Sequence, residues 1–307
     1  MSIRELFAVL KETWEEFNAD RVPRLGAALA YFTIFSLAPL LIVVIGIAGF
    51  FLGRDNAQIE LLVLANEYLG DQGAALVADL ITNAARPGSG VIATVIGVVT
   101  LLFGASNLFA QLQGTLNMIW GVEPRPDRGV LGMVRDRSLA FAFVLGSGFL
   151  MLALMIASTV LNVLNRRVGD VVPNQMLVNE LINRSGSIVL TTLLFAVIYK
   201  VVPDARAAWR DVLSGAFVTA LLFSIGRFAL GWYLNTSGTT SIYGAAGSLV
   251  VLLLWIFFSA QIFFLGAEFI QVLARRRGAP IQPARNAVAV GKWNPANVAR
   301  NSAKAGK

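Results

Sequence analysis

Apolar residues in this chain run in long blocks instead of alternating with polar ones. Six stretches reach the roughly 20 apolar residues needed to cross about 30 Å of hydrocarbon: approximately 26–52, 91–118, 138–164, 186–203, 211–234 and 243–274. Ahead of them Ile3, Leu6, Phe7, Leu10, Trp14 and Phe17 recur at helical spacing among charged residues. This spacing predicts an amphipathic helix within 1–22 lying on a membrane surface; with charges throughout and no apolar core, the segment does not read as a signal peptide. Segment 53–90 is too polar to span, and Ile59, Leu62, Val63, Leu69, Leu76, Val77, Leu80 and Ile81 predict two short helices around Gly70 and Gly73, a cap on the outer face. Segment 165–185 reads as a second cap element. From Arg275 to 307 there are eight basic residues, no acidic ones and no apolar periodicity, the signature of a disordered basic tail. The expected fold is all-α: a polytopic six-helix transmembrane domain over 23–274, with the amphipathic helix before it and short helical elements outside.

Composition agrees with the pattern. The 307 residues are 56% hydrophobic and 14% charged, against about 45–50% and about 25% in soluble domains, and the mean hydropathy is +0.69. Of the 25 Lys and Arg residues, 19 fall on the side that holds both ends of the chain, five on the other, and Arg227 lies within a span. That bias predicts cytoplasmic termini. The chain contains no cysteine and no histidine, which removes thiolate chemistry, the commonest metal ligand and the commonest general base. Neither enzyme, metal nor cofactor is expected. Arg275, Arg276 and Arg277 stand at the end of the sixth span, where each gains about 1 kcal/mol from anionic headgroups; membrane lipids are the expected partners, and the tail needs no nucleic acid to explain it.

Several polar positions interrupt the apolar blocks. Pro39, in the first span, removes a helical hydrogen bond and crowds the carbonyl of Phe35, which a hydroxyl such as Ser36, a neighbouring helix or cavity water must then satisfy. It marks either a packing kink or a hinge. Ser106, Gln113 and Asn117 are spaced by seven and four and therefore share one helix face; such a stripe either bonds neighbouring helices or lines a wet cavity. Arg227 lies about 24 Å along the fifth span, as an anion contact or a side chain snorkelling outward. Glu268 lies near the opposite face, where either Lys200, as the other half of an inner gate, or the Arg275–Arg277 cluster is its expected partner. Gly244, Gly247, Ser248 and Gly266 offer small surfaces for close helix approach.

Taken together, ALAYFTIFSLAPLL (28–41), LNMIWGV (116–122), YKVVPDARAAWRDVLSGA (199–216), IYGAAGS (242–248), LLW and LGAE resemble the YihY/BrkB family of bacterial inner-membrane proteins. The resemblance covers about 20–270 and implies six spans with both termini inside. It implies characteristic positions at Tyr31, Pro39, Asn117, Trp120, Pro203, Trp209, Asp211, Tyr243, Gly244, Gly247, Trp255, Gly266 and Glu268. Family members have carried the label ribonuclease BN; that chemistry resembles the zinc metallo-β-lactamase type, whose metals need several histidines, so a chain without histidine does not fit it. The expected function is export or transport of a small or lipid-like solute, including anionic ones, with Tyr31, Ser36, Pro39, Ser106, Gln113, Asn117 and Arg227 as pathway contacts. The alternative is a membrane scaffold or envelope-assembly protein. Pro39 and Asn117 buried in dry contacts would take most of the support from transport.

Overall fold

The computed structural model describes residues 3–84, 91–125, 175–236 and 247–290. These form α1 (Ile3–Ala19), α2 (Val22–Leu52), α3 (Arg54–Ala84), α4 (Val91–Ile119), β1 (Val122–Pro124), α5 (Gln175–Val201), β2 (Ala205–Arg206), α6 (Trp209–Thr236), α7 (Gly247–Arg276), β3 (Gln282–Pro283) and β4 (Ala287–Ala289). The expected span over 138–164, residues 165–174 of the second cap element, Tyr243 and Gly244 lie outside the described residues. Pro39 and Ser248 are placed by the backbone alone, and α2 is helical through Pro39.

The helix α7 is the hub, packing against α1, α2, α3, α4 and α6. The main core joins Leu116, Ile119 and Trp120 of α4 and its end, Phe195 and Tyr199 of α5, Ala216 and Ala220 of α6, and Phe263, Phe264, Ala267 and Ile270 of α7. Tyr199 and Phe263 stack with ring centroids 4.6 Å apart.

Among the described residues two helices, α6 over Trp209–Tyr233 and α7 over Leu249–Arg276, are long and apolar enough to cross a membrane. The side chains on α6 are arranged inside out compared with a soluble bundle. Small residues Gly215, Ala216, Thr219 and Ala220 face the interior, while Leu213, Phe217, Leu221, Ile225, Phe228 and Trp232 form an exposed stripe at steps of three and four. Val189, Leu193, Val197 and Val201 repeat the stripe on α5. Small residues inside let helix backbones approach closely, and large apolar residues outside are stable only in hydrocarbon. The stripe on α6 is flanked by Trp209 and Trp232, about 35 Å apart at 1.5 Å per residue. That spacing suits the aromatic belts at the two faces of a bilayer.

Two expectations are corrected. Residues 54–84 form one helix, not two short ones around Gly70 and Gly73; a glycine within a helix costs only about 1 kcal/mol relative to alanine, and packing offsets it. Leu61, Ala65, Val77 and Ile81 of α3 share a core with Leu41, Val44 and Ile45 of α2, so α3 belongs to the bundle. Residues 275–290 of the expected disordered tail are also ordered, while 291–307 lie outside the described residues. Gly278, at φ 73, reverses the chain after α7, with the Ala279 N–H bonded to the Ala274 carbonyl at 3.1 Å in the manner of a Schellman cap. The chain then returns to the bundle, where β3 pairs antiparallel with β2 and β4 with β1. Its backbone bonds come from loops 120–125 and 202–206, partners that no local periodicity announces.

Candidate functional site

The helices α4, α5 and α7 end together, and a polar junction is built where they meet. Gln113 and Asn117 lie on one face of α4, as their spacing of four requires. That face meets the loop leaving α5. The Asp204 N–H donates to Asn117 Oδ1 at 2.8 Å, while Asp204 Oδ2 accepts from Asn117 Nδ2 at 3.1 Å and from Gln113 Nε2 at 3.3 Å. Gln113 Nε2 also reaches the Val202 carbonyl at 3.1 Å. From the returning tail, Asn286 Nδ2 donates to Asp204 Oδ1 at 2.6 Å. Asn117 is 4% exposed and Asp204 7%. Three amides thus spread the charge of one buried carboxylate, and a network satisfied in this way rigidifies the segments that it joins. The stripe bonds protein to protein instead of lining a wet cavity. Ser106, two turns back along α4, is half-buried and contributes no bond to this network.

A second layer lies beneath it. The Trp120 indole donates to the Ala267 carbonyl at 3.1 Å. The Tyr199 hydroxyl donates to the Phe263 carbonyl at 2.5 Å and lies 3.2 Å from Thr219 Oγ1. Gly266 faces this pair, and a Cβ there would collide with Thr219 Oγ1 and Tyr199 Oη. Glu268 is fully buried in the next turn. The expected Lys200–Glu268 gate does not form. Lys200 instead donates to the Ala207 carbonyl at 2.6 Å and lies 5.2 Å from the Trp209 ring centroid. The stem and head of Lys200 follow the surface, where a carbonyl and an aromatic face spare the ammonium the cost of full burial.

Nor do the three arginines at the end of α7 wait for headgroups alone. Arg275 pairs with Glu12 and, at 3.3 Å, with Glu16; Arg276 pairs with Glu12 at 2.6 Å; Arg277 pairs with Asp211. Carboxylates of α1 and α6 thus share the charge of this cluster. These pairs and Val9, packed on Phe269, Val272 and Leu273, dock α1 on α7. Phe7, Leu10 and Trp14 stay exposed on the far side of α1. Replacing Glu12 and Glu16 together by Gln is expected to weaken this docking by about 1 kcal/mol, since the pairs are partly exposed. A Cys at position 9 should then react with a maleimide several-fold faster than in the parent.

The remaining expected contacts scatter. Tyr31 is 59% exposed, and its ring contacts among the described residues are with Phe32 and Phe35 of its own helix. Ser36 is buried at 2%, donates to the Phe32 carbonyl at 2.8 Å, and seats against Gly104 of α4. It serves helix contact, not the Phe35 carbonyl. Arg227 lies elsewhere, in a small, shallow groove between α6 and α7, with Phe223, Trp255, Phe258, Ser259 and Ile262 around it. Gly226 lets Ile262 close the floor of this groove.

The model of the virulence factor BrkB family matches residues 13–290, a stretch that takes in both strands that follow α7. The chain belongs to the BrkB family. It is 30% identical over 263 residues to a UPF0761 membrane protein of Alkalilimnicola ehrlichii, covering 85% of this chain and 57% of that protein. With UPF0761 membrane proteins of Tolumonas auensis and Mannheimia succiniciproducens it shares 29% over 271 residues and 27% over 281, covering 83% and 91% of those proteins and 85% and 90% of this chain. The chain spans about three fifths of the length of some curated relatives, 57% and 61% in the Alkalilimnicola and Alcanivorax borkumensis proteins. No solved structure matches it. This BrkB-family chain is a membrane protein, and nothing in the comparisons indicates ribonuclease activity. Sequence reasoning named Asn117, Trp120, Gly266 and Glu268 but missed Asp204, Tyr199, Thr219 and Asn286. Asp204 could have been found as the one carboxylate in VVPDARAAW, directly after Pro203.

Proposed function

We propose that this BrkB-family protein handles an anionic, lipid-like molecule along its membrane-facing surface, and does not pass a small solute through a water-filled core. The observation that carries this is the groove at Arg227. It combines a guanidinium, able to grip a phosphate with several N–H donors, with an apolar trough of Phe223, Trp255, Phe258 and Ile262. Arg227 is five residues, about 7–8 Å, from Trp232 along α6, within a long side chain's reach of the headgroup level. The direct bonding of Asn117 and Gln113 to protein groups argues against a solute pathway lined by this stripe and leaves the lateral groove as the better candidate.

The proposal includes six spans in the bacterial inner membrane, with α1, the polar junction and the tail on the cytoplasmic side. There Phe7, Leu10 and Trp14 would rest in the headgroup layer. In the second reading the protein is a non-transporting scaffold, favoured by the saturated junction. Native mass spectrometry of the protein released from phosphatidylglycerol and phosphatidylcholine nanodiscs separates the two. Retention of phosphatidylglycerol should fall about tenfold in Arg227→Gln, the effect of losing a charge-assisted hydrogen bond, and remain in Arg227→Lys to an intermediate degree. Equal retention of both lipids by parent and variants would support the scaffold.

A further inference from the structure

We propose that residues 279–290 form a releasable strap that shuts the junction end of the bundle and lifts as one unit. The strap crosses two separate loops within twelve residues. Gln282–Pro283 pair with Ala205–Arg206 beyond α5, and Ala287–Ala289 pair with Val122–Pro124 beyond α4. Between the two pairings the Ala284 N–H donates to the Asp204 carbonyl at 2.9 Å, Asn286 Nδ2 reaches the Asp204 carboxylate, and the Arg125 N–H donates to the Asn286 carbonyl at 3.1 Å. A last bond runs from the Val290 N–H to the Gly121 carbonyl at 2.9 Å.

The strap is tied by hydrogen bonds and hardly at all by buried surface. Ile281 and Ala287 are its contributions to the main core, whereas the α7 segment before it buries Phe263, Phe264, Ile270 and Leu273. Bonds at an aqueous face exchange readily for bonds to water, and segments poor in apolar contacts open at low free energy while the core stays closed. Gly278, in the left-handed region, gives the strap a hinge at its root. Beneath it lie Asp204, Asn117 and Gln113, polar groups that water can satisfy once Asn286 departs. The strap therefore covers a surface that tolerates wetting.

This inference does not depend on the Arg227 groove, and its test reads backbone opening instead of lipid. Hydrogen–deuterium exchange is followed in nanodiscs for the parent, for Asn286→Ala, and for Glu123→Cys/Val288→Cys oxidised across the β1–β4 pair, in a chain with no other cysteine. Segments 121–125, 202–206 and 279–290 should exchange at a common rate, far ahead of 260–274. In Asn286→Ala that rate should rise about tenfold, as for loss of a hydrogen bond to a charged group, and the disulfide should slow all three together. Exchange of the strap at the rate of 260–274, or slowing by the disulfide confined to 121–125 and 287–289, would overturn the proposal.

Discussion

Asp204→Ala is expected to destabilise the protein by about 1–3 kcal/mol, because it takes the carboxylate acceptor from the buried Asn117 amide and the charge-assisted bond from the half-buried Asn286. Gln113 retains the Val202 carbonyl, but Asn117 Nδ2 and Asn286 Nδ2 lose the acceptor that the structure gives them. Asp204→Asn keeps the shape and offers one acceptor oxygen, so about half the loss is expected. The measurement is thermal unfolding in a mild detergent, read by tryptophan fluorescence, as a cycle with Asn117→Ala. The two alanine changes should be clearly non-additive, because after either one the shared bonds are already gone; sums within about 0.5 kcal/mol would mean the residues act independently.

The second large effect is steric. Gly266→Ala places a methyl group against Thr219 Oγ1 and Tyr199 Oη, and neither can yield freely. Thr219 Oγ1 is bonded to the Gly215 carbonyl at 2.8 Å, and Tyr199 Oη to the Phe263 carbonyl. Relief must come from separating α6 and α7, at a cost of about 1–3 kcal/mol for overpacking a core. Gly266→Leu should abolish folding. Because the tighter of the two contacts is with Thr219 Oγ1, Thr219→Ala introduced with Gly266→Ala should recover part of the loss, and the double variant should melt above Gly266→Ala alone. A double variant that melts lower would place the strain elsewhere.

These two sites show where the sequence was legible. The period and length of the apolar blocks gave the helices of α2, α4, α6 and α7 to within a few residues, because a bilayer demands long apolar stretches whatever their neighbours. The spacing of Gln113 and Asn117 gave their common face, since helix geometry is local. Their partner Asp204 lies 87 residues from Asn117, and no local pattern reports a pairing across such a distance. Residues 279–290 were misread for a related reason: Ala284, Asn286 and Ala287 carry no apolar rhythm, and they are ordered by strands borrowed from other loops. Charge counting assigned Arg275–Arg277 to a membrane face but could not see that Glu12, Glu16 and Asp211 fold back onto them.

The lateral groove gathers Arg227 from α6 and Trp255, Phe258 and Ser259 from α7; of these the apolar pattern marked only Arg227, and Trp255 came from the family resemblance alone. An arginine in an apolar block is conspicuous; aromatic residues within one are not. Whether the groove works on lipid is most directly tested in liposomes containing the purified protein and acyl-labelled fluorescent phosphatidylglycerol, with dithionite quenching the outer leaflet. Phosphatidylglycerol carried by the parent should become quenchable beyond the outer-leaflet half, faster than phosphatidylcholine, with the excess lost in Arg227→Gln. Quenching that stops at half with the parent for both lipids, as in protein-free liposomes, would contradict lipid handling and leave the scaffold reading in its place.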